Sequence, residues 1–146
     1  MYLFDVNALI AVGDPMHVFH DSIHRWLARH RGEKWATCPL TENGFVRVLS
    51  QPAYRTGHVS PAEAIGLLAD MKKGTALRHV FWPDSISLTE SGLIAQHLIV
   101  GSRQVMDVYL AALALRNKGK LVTYDRAIAW QAVDGADTDL IVNPPV

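Results

Sequence analysis

The chain has 146 residues, 49% of them apolar and 19% charged, which is enough for one hydrophobic core and too little for two independent domains. Lys and Arg balance Asp and Glu at zero net charge, so no whole-molecule basic field marks a nucleic-acid partner, and any such contact must come from a local patch. The single cysteine, Cys38, excludes an intramolecular disulfide and a thiolate zinc cluster, and suits a reducing compartment.

No basic leader precedes Tyr2, and no apolar run approaches the roughly 20 residues that cross a bilayer, so the expectation is a cytoplasmic protein without a membrane segment. Tyr2-Leu3-Phe4-Asp5-Val6 predicts a short buried strand with one acid near its end. Asn7 is placed to cap a helix from Ala8 to Val12, stopped by Gly13, and Asp14-Pro15 supplies a cap and first-turn proline for a second helix. On that helix Phe19, Ile23, Trp26 and Leu27 recur at helical spacing. Lys34 to Thr37 reads as a second strand, and Pro39 opens a helix carrying Glu42, Phe45, Val48 and Leu49. Ser60-Pro61-Ala62-Glu63 combines an N-cap, a first-position proline and a returning acid at the head of a helix to about Lys72.

His79 to Trp82 predicts a third strand, and Ser87 with Glu90 a capping box that opens a helix towards His97 or Ile99. Met106 to Asn117 is an alanine- and leucine-rich helix followed by Gly119. Lys120 to Thr123 is a strand, Tyr124 to Ala132 a helix, and Asp139 to Val142 a closing strand. Strands alternating with helices at this spacing predict an α/β fold, a parallel sheet with helices on both faces, as one domain over residues 1–146.

Four acids fall at one edge of such a sheet. Asp5 ends the first strand, Asp125 follows the Lys120–Thr123 strand, and Glu42 and Asp107 stand in the opening turns of helices. Each has a plainer reading: Glu42 and Asp107 could complement helix dipoles, and Asp125 could cap its helix. Asp5 is harder to excuse, because unpaired acids inside apolar strands are rare. Carboxylates sharing one place raise each other's pKa and resist desolvation, so a cation belongs among them. Oxygen ligands without Cys or His suit Mg²⁺ or Mn²⁺, ions that activate water and stabilise charge on a phosphoryl group, and phosphodiester hydrolysis is the chemistry this implies. Asn7 and Thr123 are candidates to orient the ligands from behind.

The segments Leu3-Phe4-Asp5-Val6-Asn7, Cys38-Pro39-Leu40-Thr41-Glu42-Asn43-Gly44-Phe45, Arg103 to Ala114 and Leu121-Val122-Thr123-Tyr124-Asp125-Arg126 resemble, in order, those of the PIN domain nucleases, and within them the VapC-type toxins of bacterial toxin-antitoxin pairs. The resemblance implies a three-layer α/β/α fold around a mainly parallel sheet of about four to five strands. It makes Asp5, Glu42, Asp107 and Asp125 the metal-binding acids. It also implies Mg²⁺-dependent endoribonuclease activity on structured RNAs such as tRNA or rRNA, inhibition by a cognate antitoxin, and a homodimer. Met106 departs from the pattern, since related sequences often carry Thr before the aspartate.

Arg47, Arg55, Arg103 and Arg126 lie near these segments as candidate phosphate contacts, although exposed solubility charges look the same in sequence. His17, His20 and His24 could share a helix face but lack a carboxylate or thiolate in register for zinc. Lys72-Lys73 suits the end of a helix, and Trp26, Trp35, Trp82 and Trp130 suit a core or interface. Two other readings stand beside the nuclease. One is a phosphatase or other phosphotransferase, though the haloacid dehalogenase pattern wants an acid where Asn7 stands. The other is a non-catalytic module whose acids hold a basic segment of a partner.

Overall fold

The computed structural model describes residues 1–54, 57, 59–74 and 76–146. Five strands, β1 (Tyr2–Phe4), β2 (Lys34–Thr37), β3 (Arg78–Phe81), β4 (Lys120–Val122) and β5 (Ile141–Val142), form one parallel sheet in the order β3-β2-β1-β4-β5. The helices are α1 (Val6–Gly13), α2 (His20–Arg29), α3 (Pro39–Leu49), α4 (Pro61–Gly74) and α5 (Gln104–Arg116). Successive side chains of each strand go to opposite faces, and the core divides accordingly. Leu3, Ala36 and Leu121 meet α5 on one face, while Phe4, Trp35 and Val122 meet the helices α1 to α4 on the other. The three-layer α/β/α arrangement is the expected one.

The chain runs outward from β1 through β2 to β3, then returns to place β4 on the other side of β1. The direction of winding therefore reverses between β1 and β4, which opens a crevice beyond their carboxyl ends. Leu3 is in register with Leu121 and Phe4 with Val122, so the residues that leave these two strands emerge side by side.

Several local predictions give way to tertiary contacts. The first helix is capped by Asp5 and not by Asn7. Asp14 does not open α2: its Oδ1 accepts from Met16 N at 2.9 Å in a turn and its Oδ2 from Tyr54 OH at 2.7 Å, and α2 starts six residues later at His20. The helix expected after Ser87 is absent. Ser87 Oγ instead accepts from Thr89 N at 3.2 Å, Glu90 pairs with Arg116, and Gly92 sits at φ 72°, so only the 3₁₀ turn Gln96–Leu98 remains. Residues 124–132 likewise form a turn and a 3₁₀ segment, Trp130–Ala132, and the side chains of Thr123 and Asp125 accept from Asp125 N and Ala127 N within that turn. The closing strand shortens to Ile141–Val142 behind the 3₁₀ turn Thr138–Leu140. Trp26, Trp35 and Trp82 are buried in the core.

Candidate active site

Each acid is placed by the way its element begins or ends. β1 stops because Asp5 turns its carboxylate onto the next helix: Oδ1 accepts from Ala8 N at 2.6 Å, while Asp5 N donates to Val122 O at 3.1 Å and ties the residue to β4. Asp107 lies in the first turn of α5. Asp125 stands in the turn after β4, its N donating to Thr123 Oγ1 at 2.9 Å and its Oδ1 accepting from Ala127 N at 2.7 Å. Asn143, just beyond β5, spans the carbonyls of Thr123 at 2.8 Å and Asp125 at 3.1 Å and fixes that turn. Asp5, Asp107 and Asp125 line one cleft of about 370 Å³, together with Asn7, Met106 and three aliphatic side chains.

The cleft is electrostatically loaded. Asp5 is only 6% exposed. Burial is the main reason its carboxyl is pushed up to about 6; hydrogen bonds from Thr123 and Ala8 hold it back, and the charges of Asp107 and Asp125 push it further. Asp107 is raised as well, by burial and then by Asp125. Thr123 is fully buried, and its hydroxyl meets both the Asp5 carboxylate and Asp125 N.

Glu42 does not join this cleft. It stands in the opening turn of α3 on a neighbouring depression of about 380 Å³, with Asn43, Arg47 and Ser50. Its Oε1 accepts from Thr37 Oγ1 at 2.6 Å and forms an ion pair with Lys72 of α4. His79 Nε2 lies 2.8 Å from the same threonine hydroxyl, and burial with the Lys72 charge lowers its pKa. Gly44 explains how close the two helices approach between these places, since a Cβ there would run into Val6 Cγ2.

Among the candidate arginines, Arg47 borders the Glu42 depression, Arg103 is exposed at the start of α5, Arg126 is exposed beside Asp125, and Arg55 lies outside the described residues. The three histidines do not share a helix face: His20 Nδ1 and His24 Nε2 meet the carbonyls of Ala11 and Val12 at the end of α1, at 2.8 and 3.1 Å, and His17 precedes α2. One supporting residue, Asn143, escaped the sequence reading. As a polar residue just after a predicted strand it had the same edge signal as Asp125, whereas Lys72 and His17 stood out in sequence only as a helix-end cation and as one of three spaced histidines, and the structure sets them against Glu42 and Asn7.

Among the described residues the cleft offers the carboxylates of Asp5, Asp107 and Asp125 as charged oxygen ligands, no Lys or Arg lines it, and Asp5 holds its proton unusually tightly. That set fits a hard divalent cation. Among the described residues no three acidic, His or Cys side chains close into a ready-made cage. Mg²⁺, which keeps several waters and is bound through one or two carboxylates, does not require one.

Fold and site together define a parallel α/β protein with an acidic cleft at its topological switch point. The PIN domain family model matches residues 2–134, and the chain belongs to that family. The chain is 43% identical over 135 residues to ribonuclease VapC44 of Mycobacterium tuberculosis, covering 92% of each chain. It is 42% identical over 134 residues to ribonuclease VapC39 of the same species, covering 91% of this chain and 94% of that one. In fold it is similar to the crystal structure of M. tuberculosis VapC20, a sarcin-ricin loop cleaving toxin, with a TM-score of 0.59, 15% identity, and coverage of 93% and 98% of the two chains. Among the described residues no helix is long and apolar enough to cross a membrane.

Proposed function

We propose that this protein is a Mg²⁺-dependent endoribonuclease, with Mn²⁺ able to substitute, and the toxin of a toxin-antitoxin pair. One observation carries the reading: three aspartates, from the end of β1, from α5 and from the turn after β4, line a single cleft in which the Asp5 carboxyl is pushed up to about 6. The names of its relatives, ribonucleases at 39–43% identity, support RNA as the substrate. When bound, the cation supplies a more acidic water and stabilises charge on the phosphoryl oxygens.

The protein's own residues do the rest. Asp5, Asp107 and Asp125 hold the cation directly or through its waters. Thr123 keeps Asp5 and the Asp125 turn together, and Asn143 locks that turn from below. Glu42 is the fourth acid of the set by resemblance and acts from the adjoining depression, where Lys72 and Thr37 engage it. Arg47, Arg55, Arg103 and Arg126, near the acidic segments in sequence, are the candidate phosphate contacts. A single domain working in the cytoplasm as a homodimer, silenced by a small antitoxin encoded next to it, completes the reading.

Incubation of purified protein with tRNA and rRNA in Mg²⁺, followed by sequencing of the RNA ends, tests it. Cleavage at defined sites that stops with EDTA and with Asp5→Asn is the expected result. Undiminished cutting by folded Asp5→Asn refutes the site, and turnover of small phosphate esters without RNA cleavage refutes the substrate.

A further inference from the structure

A phosphodiester entering the cleft faces three carboxylates, and among the described residues lining it Asn7 carries the only side-chain N–H donors. His17 decides which end of that amide is free. Phe19 N donates to His17 Nδ1 at 3.2 Å, so Nδ1 presents a lone pair and the proton of the neutral ring is on Nε2. Nε2 lies 3.1 Å from Asn7 Oδ1 and donates to it. The opposite amide orientation would set two donors against each other. Asn7 is therefore left with its Nδ2 hydrogens uncommitted to the histidine.

The histidine is itself held in place. Its ring rests on Phe19 at 5.7 Å between centroids, and Phe19 stacks on Tyr124 at 4.0 Å and 9°. Tyr124 is the residue between Thr123 and Asp125 and is anchored by Ser22 at 2.7 Å. The segment before α2 is thus joined to both walls of the cleft, at Asn7 on α1 and at the turn that carries Asp125.

We propose that His17 is a positioning residue that fixes the Asn7 amide with its NH₂ group as donor to an oxygen of the RNA backbone. The proposal rests on the reading of the cleft as an RNA site. It is tested on a single-stranded oligoribonucleotide that carries the cleavage site found by end sequencing, with kcat and KM measured separately and the thermal midpoint of each variant recorded. His17→Ala should lower kcat/KM about tenfold, the scale of one hydrogen bond to a charged group, with the midpoint little changed. His17→Gln, whose amide can donate to Oδ1, should restore activity to within about twofold. Asn7→Ala should cost as much as His17→Ala, and the double variant no more than either.

Wild-type activity in His17→Ala, failure of the glutamine to rescue, or a full additional loss in the Asn7→Ala background each overturns the proposal. Loss of RNA cleavage by Asp5→Asn in the same assay shows that the nuclease reading survives such a failure. If the wild-type protein cleaves no RNA, both fall.

Discussion

Replacing Asp5 by Asn should stabilise the protein at neutral pH in the absence of divalent cations, although the same change is expected to stop catalysis. Asp5 is buried and its carboxyl is raised from 3.8 to about 6. Between these values the folded protein holds a proton that the unfolded chain has released, so stability falls as pH rises through the window and levels off above about 6. At about 1.4 kcal/mol for each tenfold change in proton affinity, the penalty reaches about 3 kcal/mol. Asn carries no charge and caps a helix as well as Asp does, so the helix start at Ala8 N survives the exchange. Urea unfolding followed by tryptophan fluorescence in EDTA, at pH values from 4 to 8, measures the difference between the two proteins. Near pH 4 they should be close; at pH 8 the variant should be ahead by up to about 3 kcal/mol, or about 6–12 °C in Tm for a chain of this size. Mn²⁺ should return the advantage to the wild type. Parallel stability profiles across the whole range would refute the claim that Asp5 is a charge the fold bears at its own expense.

Thr123→Val keeps the shape but removes the hydroxyl that serves both Asp5 and Asp125 N, and a loss of about 2 kcal/mol in chemical denaturation is expected. A Lys72→Met variant loses the partner of Glu42, but both side chains are about a quarter exposed, so a thermal melt should record a cost of no more than about 1 kcal/mol. That cost should shrink when Glu42→Gln is already present. Gly44→Ala drives a methyl group into Val6 and should destabilise by about 1–3 kcal/mol, with Val6→Ala restoring much of the loss in the double variant. Unchanged stability of Gly44→Ala would show that α1 and α3 can separate without penalty.

The sheet and its acidic edge were legible because they depend on signals that survive in one dimension. Short apolar runs gave all five strands to within a few residues, and an acid interrupting the first of them pointed to the carboxyl edge before any contact was known. What failed was local chemistry that another part of the chain outbid. Ser87 and Glu90 have the spacing of a helix start, yet Glu90 reaches 26 residues along the chain to Arg116. Asp125 looks like a helix cap and is one turn's anchor instead, its backbone held by Asn143 eighteen residues later. The separation of Glu42 from the aspartates was invisible for a different reason. The order of elements places all four acids at one edge, but only the packing of Val6 on Gly44 and the reach of Lys72 decide on which side of that contact a carboxylate settles.

The reversal of winding at β1 also bears on how such a protein is made. Asp5 follows β1, but the strand that lies beside it, β4, and the acid that strand delivers, Asp125, are far from it in sequence. A folding chain in which β4 has not docked on β1 holds one wall of the cleft and not the other, and so has no complete set of acids. Docking of β4 on β1 is thus the step that brings the third aspartate to the other two.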